Sequence, residues 1–582
     1  MKTMLGQIAT RSLGLAGLVL TVALSVPGQA VQTGRYLVGL KQASSTMMAP
    51  QRAKLQAEKQ KLMQYLQSSQ FQGQLQSQLS SLDAVVVKVT NPQELESLRQ
   101  HAAVEFVDHE VFFFPPRPVL GQAKMANFAP QSRRQFRGEK TPWGINAVRA
   151  PEAWQMSGGG AGARVLVLDT GIDKDHGSLA ANFEAGQNFL EADGRCGENL
   201  PYPFFDGEGH GTHVAGTIAG GLDQSGFTGV APRAKVSMGR VCGLVRNPFT
   251  NECQSGCSNI AVAEGINWGV RQKVDVVSMS LGGPSASPSE RRAVQAALQA
   301  GVTLVAASGN GTPDRNGNIV YDRVSYPAAL PGVIAVGAID VSKQKASFSQ
   351  YGPELSIVAP GVDVVSTVPR GTGMDPEVRI SLGQQQFVMV KSSTFQGSAS
   401  PSTPVINELV PAGLGKPGEF PESVRGRFAL VQRGEIMFAE KAANAIRAGA
   451  KGLVVYNNAP GLIRGSITAD GSTLPVPVFM VEQQVGEAIL KAVQSGRSVR
   501  ASLVVVQTDY ASFDGTSMAT PHVAGVIALM KAVNKGLTPA QVKEILMGTA
   551  VPLQPNNNNQ LGAGLVDAAR AVEASSQSRR LR

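Results

Sequence analysis

The chain of 582 residues is too long for a single hydrophobic core, so the sequence predicts several domains. Its formal net charge of +10 comes from Lys and Arg residues scattered along the chain, so no basic nucleic-acid-binding surface is indicated. Charged residues make up 16% of the chain, below the usual ~25%, and together with 64 glycines this composition fits an enzyme that works outside the cytoplasm.

The N-terminus has the pattern of a secretory signal peptide. Lys2 and Arg11 precede an apolar run at residues 13–26, which ends at the small-residue site Pro-Gly-Gln-Ala of residues 27–30. The run is shorter than the ~20 residues that a membrane-spanning helix needs, and no other stretch of the sequence is long enough. We therefore expect residues 1–30 to be removed and the protein to be secreted, extracellular or periplasmic. An uncleaved membrane anchor is the alternative.

The four cysteines, Cys196, Cys242, Cys253 and Cys257, are an even number. In an exported chain this predicts two disulfides, and the sequence leaves all three possible pairings open. A zinc site is the competing interpretation, but the spacing of Cys253 and Cys257 lacks the partner spacing of a ribbon or finger.

Residues 35–115 are predicted to form a small α+β unit. Strands are expected at 35–40, 83–89 and 104–107, and helices at 51–79 and 92–101. Residues 116–140 are rich in Pro, Gln and Arg and lack periodicity, which indicates an exposed linker and a site of proteolytic processing.

Residues 141–370 alternate continuously apolar strands with helical stretches. Strands are expected at 165–168, 274–281, 302–307 and 333–337. This alternation predicts an α/β fold in which a parallel sheet has helices on both faces. Residues 371–508 interrupt the pattern as an inserted domain, and the main fold resumes at residues 509–575.

Ser517 follows a Gly-Thr turn and precedes an apolar run at residues 523–530 that is typical of a buried helix. Pro521 is expected in the first turn of this helix, where its missing N–H is no loss. Ser517 would then lie at a helix N-terminus, where free backbone N–H groups face any negative charge that develops beside it. An ordinary helix cap is the alternative interpretation of this turn.

Three other side chains are expected at the edge of the predicted sheet. Asp169 ends a strand, His210 lies between glycines at the start of a small-residue helix, and Asn310 follows another strand. The carboxyl ends of parallel strands share one crevice, where ligands bind. Each residue also has a structural interpretation: Asp169 as a cap, Asn310 as a loop residue and His210 as a hydrogen-bonded histidine.

Together these residue types suit acyl transfer. A serine hydroxyl needs an imidazole to take its proton, and the imidazole needs a carboxylate to fix its tautomer and stabilise its charged form. The oxyanion of the tetrahedral intermediate needs preorganised donors. Asp169, His210, Asn310 and the Ser517 N–H could meet these needs.

Three motifs carry a resemblance to a known family. The stretches DTGID (169–173), HGTHVAGT (210–217) and GTSMATPHVAG (515–525) resemble the catalytic signatures of the subtilisin-like serine proteases, or subtilases, in the order Asp, His, Ser. The resemblance implies that Asp169 orients His210, His210 is the base, Ser517 attacks and Asn310 donates to the oxyanion. It also implies that His213 and His522 are structural.

The resemblance extends to the cleft and to the other domains. It implies that two segments line the cleft and that an extended substrate pairs with their main chain as an added strand. The first segment is Ser280, Leu281 and Gly282, and the second is Ala307, Ser308 and Gly309. Residues 35–115 resemble the inhibitory prodomain of the family. Residues 371–508 resemble a protease-associated (PA) domain, through residues 429–434 and 448–458.

Calcium is a candidate structural ion. Relatives often bind it through an acid shortly after the strand of the catalytic Asp, where this chain has Ser178. Asp223 and Glu139 are the remaining candidate ligands, and the loss of one carboxylate would weaken a site for a hard cation. The expected chemistry requires no cofactor.

The sequence therefore predicts a secreted serine endopeptidase, made as a zymogen that processes itself. Its expected partners are protein or peptide substrates and its own prodomain, with no nucleic acid and no membrane after signal removal. A binding protein on an inactive protease scaffold is one alternative. An esterase is another, but it is expected to carry Gly-x-Ser-x-Gly, whereas residues 515–519 are Gly-Thr-Ser-Met-Ala.

Overall fold

The computed structural model of the protein describes residues 34–114, 141–191, 196, 199–222, 227–246, 253–313, 318–459, 462, 467–468 and 472–580. The predicted signal peptide (1–30), the predicted linker (116–140), Glu139 and Asp223 lie outside the described residues. Within the described part of the chain, no helix combines the length and apolar character needed to cross a membrane.

The N-terminal unit is a four-stranded antiparallel sheet in the order β2-β3-β1-β4. Leu62 and Leu66 of the first helix are buried in a core with valines of β3. Its elements are β1 (Arg35–Leu40), α1 (Ala49–Gln67), β2 (Gly73–Leu79), β3 (Ala84–Val89), α2 (Pro92–Gln100), β4 (Val104–His109) and β5 (Phe112–Phe113).

The expected helix at residues 51–79 is wrong in its second half. Helix α1 ends at Gln67, and residues 73–79 form strand β2, which pairs with β3. The Gln-rich sequence suits either conformation, so pairing with a strand that follows it in the chain decides between them.

A seven-stranded parallel sheet forms the centre of the molecule, in the order β16-β15-β12-β11-β6-β8-β7. Every residue of β12, β15 and β16 is buried, so both faces of the sheet are covered. This confirms the predicted α/β fold. Its strands and those of its loops are β6 (Arg164–Asp169), β7 (Phe183–Asn188), β8 (Lys235–Arg240), β9 (Cys242–Arg246), β10 (Cys253–Ser258), β11 (Val276–Met279), β12 (Thr303–Ala307), β13 (Thr312–Pro313), β14 (Ile319–Val320), β15 (Ile334–Ile339), β16 (Leu355–Pro360) and β17 (Val364–Thr367).

Helices pack on the sheet in two groups. Helices α7 and α8 contact each other, whereas α11 packs with α6 and α13 and lies across β11, β12, β15 and β16. The helices before the insertion are α3 (Trp143–Ala147), α4 (Ala150–Ser157), α5 (Gly177–Ala180), α6 (His210–Ala219), α7 (Asn259–Gln272) and α8 (Pro288–Gln299), and those after it are α11 (Thr516–Val533), α12 (Pro539–Thr549) and α13 (Ala568–Arg580).

The insertion contains an eight-stranded sheet in the order β19-β18-β25-β21-β22-β23-β24-β20, with one apolar cluster on each side. It leaves the central fold after β17 and returns at β26 (Tyr510–Phe513), and these two strands pair with each other. The ends of the insertion are therefore held together. Its elements are β18 (Gly373–Leu382), β19 (Val388–Val390), β20 (Ser392–Thr394), β21 (Val405–Pro411), β22 (Phe428–Gln432), α9 (Phe438–Arg447), β23 (Gly452–Tyr456), β24 (Val478–Val481), α10 (Gln483–Gln494) and β25 (Val499–Thr508).

All four cysteines are paired. The disulfides join Cys196 to Cys253 and Cys242 to Cys257, which confirms the two predicted bridges and selects one of the three pairings. The bridges converge on strands β9 and β10, which pair with each other outside the seven-stranded sheet.

Candidate active site

Asp169 is the last residue of β6, in the interior of the parallel sheet. Only 1% of its surface is exposed. Its Oδ1 accepts hydrogen bonds from the Thr170 backbone N–H (2.8 Å) and from His210 Nδ1 (2.6 Å). A buried carboxylate at this distance fixes the His210 tautomer, with the proton on Nδ1 and the lone pair on Nε2.

His210 begins helix α6, after Gly209, whose φ of 87° is the left-handed conformation that glycine adopts readily. The next residue, Gly211, packs so closely on the Asp169 loop that a Cβ there would lie 2.2 Å from the Gly171 carbonyl oxygen. Glycine at this position is therefore required for the close approach of His210 to Asp169.

The electrostatic environment raises the pKa of His210. Burial opposes the charged form, but the Asp169 carboxylate favours it through its charge and hydrogen bond, with further contributions from Asp206 and Glu208. The side chain is 24% exposed, so the ring remains in contact with the crevice.

Asp206 is the functional residue that the sequence reasoning missed. Its Oδ1 accepts hydrogen bonds from Thr170 Oγ1 (2.8 Å) and from the Glu208 and Gly209 N–H groups, and its Oδ2 accepts from the Thr212 N–H (2.7 Å). This buried carboxylate ties the turn before His210 to the loop after Asp169. The sequence shows Asp206 four residues before His210. A single acid in a Gly-rich loop could equally belong to a surface turn, so the sequence does not predict that Asp206 is buried and holds His210 in place.

Ser517 lies in the first turn of α11. Its Oγ donates to the Ser280 carbonyl oxygen (2.9 Å), and Ser280 Oγ donates to the Ser517 carbonyl oxygen (2.8 Å). This reciprocal pair fixes the backbone at Ser517 against the end of β11.

The same contact explains why the expected position of Pro521 is wrong. Pro521 lies inside α11, beyond its first turn, where it cannot donate to the carbonyl four residues earlier. That carbonyl belongs to Ser517, and Ser280 Oγ supplies the missing donor. The helix therefore continues through the proline.

Asn310 lies next to the turn that carries Ser517. Its Oδ1 accepts from the backbone N–H and the hydroxyl of Thr516, both at 2.9 Å. Because a backbone N–H can only donate, the atom that faces it must be the amide oxygen. The NH₂ group is therefore directed away from Thr516, and a Cβ on Gly515 would lie 3.3 Å from it.

The register of the sheet brings these groups to one edge. Leu168 of β6 is opposite Met279 of β11, so Asp169 and Ser280 are neighbours at the carboxyl ends of adjacent strands. Ser517 contacts Ser280, and His210 contacts Asp169. Among the described residues, Ser517 Oγ donates to Ser280 and no hydrogen bond joins it to His210.

The predicted cleft segments follow β11 and β12, which are adjacent in the sheet. Ser280 and Leu281 are buried, as are Ala307 and Ser308. Gly309 has a φ of 108° and its N–H donates to Thr516 Oγ1 (3.2 Å). Gly282 is packed against Ser325 and Tyr326.

His213 and His522 are buried in the interior. Desolvation lowers the pKa of His213 to about 3 and that of His522 to about 4, so both are neutral near pH 7. His213 contacts the Val364 carbonyl oxygen through Nε2 (2.9 Å) and stacks on Phe513, and His522 contacts the Met518 carbonyl oxygen.

Ser178, which stands where an acid was expected for calcium, lies in the short helix α5. Ser178 Oγ lies 2.9 Å from the Tyr510 hydroxyl, and His176 is within 2.9 Å of the Asp509 carbonyl oxygen. No cluster of three or more His, Cys, Asp or Glu side chains suited to a metal occurs among the described residues.

Comparisons with known proteins agree with this geometry. The subtilase family profile matches residues 160–407 and 454–564. The chain belongs to the subtilase family. Residues 402–489 match the PA domain, so this subtilase carries a PA insertion.

The relatives match different shares of the chain. The chain is 31% identical over 361 residues to subtilisin amylosacchariticus of Bacillus subtilis subsp. amylosacchariticus, which covers 61% of this chain and 80% of that protein. It is 41% identical over 228 residues to the major intracellular serine protease of Bacillus subtilis strain 168. That match covers 39% of this chain and 67% of that protein.

Among solved structures, the subtilase resembles the psychrophilic subtilisin-like protease Apa1 from the Antarctic psychrotroph Pseudoalteromonas sp. AS-11. The TM-score is 0.53 and the identity 28%, over 75% of this chain and 99% of that one. The protein is thus a subtilisin-like serine endopeptidase with an inserted PA domain.

Replacing Asp206 by Asn is expected to lower the pKa of His210, because it removes a negative charge that favours the imidazolium and places an NH₂ group against N–H donors. The six histidines of the chain make a ¹⁵N-histidine NMR titration practical, in a Ser517→Ala background that prevents self-digestion. Glu208→Gln is the matched control, because it removes a charge near His210 and leaves in place the four hydrogen bonds that Asp206 accepts. An unchanged His210 pKa in Asp206→Asn would contradict this assignment.

Proposed function

We propose that the protein hydrolyses peptide bonds in proteins through Asp169, His210 and Ser517, with an acyl-enzyme intermediate. The observation that carries the proposal is the 2.6 Å contact of buried Asp169 with His210, beside a serine in the first turn of a helix. In this proposal the Ser517 hydroxyl leaves the Ser280 carbonyl oxygen and turns toward His210 Nε2 by rotation about χ1.

In this mechanism His210 Nε2 takes the proton of Ser517 as Oγ attacks the substrate carbonyl carbon. His210 then donates that proton to the leaving amine, and the acyl-enzyme forms. Water attacks the ester with His210 again acting as the base. Asp169 holds the ring and stabilises its charged form throughout.

The oxyanion of each tetrahedral intermediate would receive hydrogen bonds from Asn310 Nδ2 and the Ser517 N–H. Thr516 supports this role, because it occupies Asn310 Oδ1 and so leaves the amide donor to face the Ser517 turn. The N-terminus of α11 adds a favourable dipole. The reaction needs no cofactor, and structural calcium at Asp223 and Glu139 stays a prediction.

Ser517→Ala is expected to reduce kcat for peptide hydrolysis by about 10⁶-fold, the order of loss seen when a subtilisin-type nucleophile is removed. Turnover of a peptide chromogen and of casein would measure it. Ser495→Ala, an exposed serine of the insertion, is the matched control. Comparable activity in the two variants would refute the assignment of the nucleophile.

We further propose that residues 35–115 act as an inhibitory prodomain. Near the end of this unit, Phe112–Phe113 pairs with strand β10 of the protease, and we propose that an extended substrate takes the same place. At the interface, the Arg35 guanidinium contacts both Glu110 of the same unit and Glu264 of helix α7. All three side chains are at least 93% buried.

Arg35→Met in the Ser517→Ala chain is expected to destabilise the prodomain unit by about 3–5 kcal/mol, because two buried carboxylates lose their shared counter-charge. Urea unfolding would measure the loss. Arg99→Met is the control, since Arg99 is about half exposed on the same unit. Equal effects of the two variants would show that the Arg35 cluster does not hold the prodomain in place.

Export is proposed from the N-terminal signal pattern, and the two disulfides support it because such bonds persist in oxidising compartments. The alternative is an intracellular location, which the name of the relative from Bacillus subtilis strain 168 gives for that protein.

N-terminal sequencing of the protein recovered from culture medium is expected to give a start between Phe114 and Thr141, since autoprocessing would remove the prodomain there. The Ser517→Ala chain is the control and should begin at Val31. A wild-type protein that begins at Val31, or one retained in the cytoplasm, would contradict this scheme.

The PA insertion is proposed to control access to the cleft or to hold protein substrates. Its connections lie close to the active-site loop that follows Asp169. Arg370, before the insertion, pairs with Asp173, and the Asp509 carbonyl oxygen, after it, contacts His176. A movement of the insertion would therefore act on this loop directly.

A further inference from the structure

Strand β10 is the middle strand of a small three-stranded sheet in the order β5-β10-β9. Cys257 is opposite Phe113 on one side and opposite Cys242 on the other. Removal of residues 112–114 would leave β10 as an open edge, and such an edge offers backbone N–H and C=O groups to an extended peptide. The occupant is indicated by the chain itself, whose extended segment Phe112–Phe113 is seated there.

This edge leads toward the nucleophile. A Cβ on Gly283 would lie 3.4 Å from Phe113 Cβ, so Phe113 runs beside the segment that begins at Ser280. Ser280 is bound to Ser517 through the reciprocal hydrogen bonds. A peptide on β10 therefore lies alongside the backbone that fixes Ser517, a few residues away from it.

The edge strand is weak by itself. Without the prodomain segment, β9 and β10 form a two-stranded ribbon that is separate from the seven-stranded sheet. An isolated two-stranded ribbon is at best marginally stable in water. A strand that must receive a substrate in a fixed register therefore needs another restraint.

The two disulfides supply that restraint at both ends of β10. The Cys242–Cys257 bond joins the two strands at the residue that faces Phe113. The Cys196–Cys253 bond fixes the first residue of β10 to a segment 57 residues earlier in the chain. Neither bond touches Asp169, His210 or Ser517.

We infer that the two disulfides are positioning elements for extended substrates: they hold β10 as an open strand that pairs with substrate residues remote from the scissile bond, where an apolar side chain faces Cys257. The inference rests on the proposed function, because it concerns the same cleft. It assigns the disulfides to the binding of long peptides and not to the chemical step.

The experiment compares two substrates on the processed enzyme. One is a single-residue N-acyl ester, and the other is a longer peptide anilide that carries the Phe-Phe pair of residues 112–113 before the scissile bond. In Cys196→Ser/Cys253→Ser, kcat/KM for the anilide is expected to fall about tenfold, since loosening β10 weakens about two backbone hydrogen bonds. The loss should appear mainly in KM. Ester hydrolysis should change by less than about twofold, because the restraint is remote from the triad.

Cys242→Ser/Cys257→Ser is expected to show a larger loss on the anilide. Reduction of the folded wild-type enzyme by dithiothreitol should give the same KM increase, and reoxidation should reverse it. This measurement tests the inference even if a cysteine variant does not fold. Ester hydrolysis by the wild type reports separately on the proposed function.

Equal losses on the ester and the anilide would overturn the inference, because they would assign the disulfides to global stability. An unchanged KM for the anilide in the variants and after reduction would overturn it as well.

Discussion

The contact between Asp169 and His210 is the constraint on which the site depends. It joins the end of an interior strand to the first residue of a helix, and it requires glycine at positions 209 and 211. The buried carboxylate of Asp206 holds the same two segments a second time. Because both acids are desolvated, their hydrogen bonds are strong and directional, and the imidazole is fixed before any substrate arrives.

Helix α11 also helps to position the side chains of the site. A proline in its second turn leaves the Ser517 carbonyl without its helical donor, and Ser280 fills that place from the neighbouring strand. Ser517 is thus positioned by two elements that are distant in sequence. The Ser280 hydroxyl holds the Ser517 backbone, and the Ser280 carbonyl oxygen accepts a hydrogen bond from the Ser517 hydroxyl.

The N-terminal unit and the insertion contact the central fold at different places. The interface of the N-terminal unit contains the Arg35 guanidinium between two carboxylates, and a buried arrangement of this kind depends strongly on each partner. The insertion instead joins the loop after Asp169 through Arg370 and Asp509. The first contact places the extended segment Phe112–Phe113 on β10, and the second connects the PA domain to the loop after Asp169.

The sequence by itself determined the α/β fold, the presence of an insertion, two disulfides and the residues that meet at the sheet edge. It could do so because apolar runs and glycine-flanked motifs report local geometry. Only the tertiary structure decided the end of α1, the place of Pro521, the pairing of the cysteines and the role of Asp206. Each of these depends on a partner far away in the chain, such as β3 or Ser280, and local sequence carries no information on which distant group completes a hydrogen bond or a bridge.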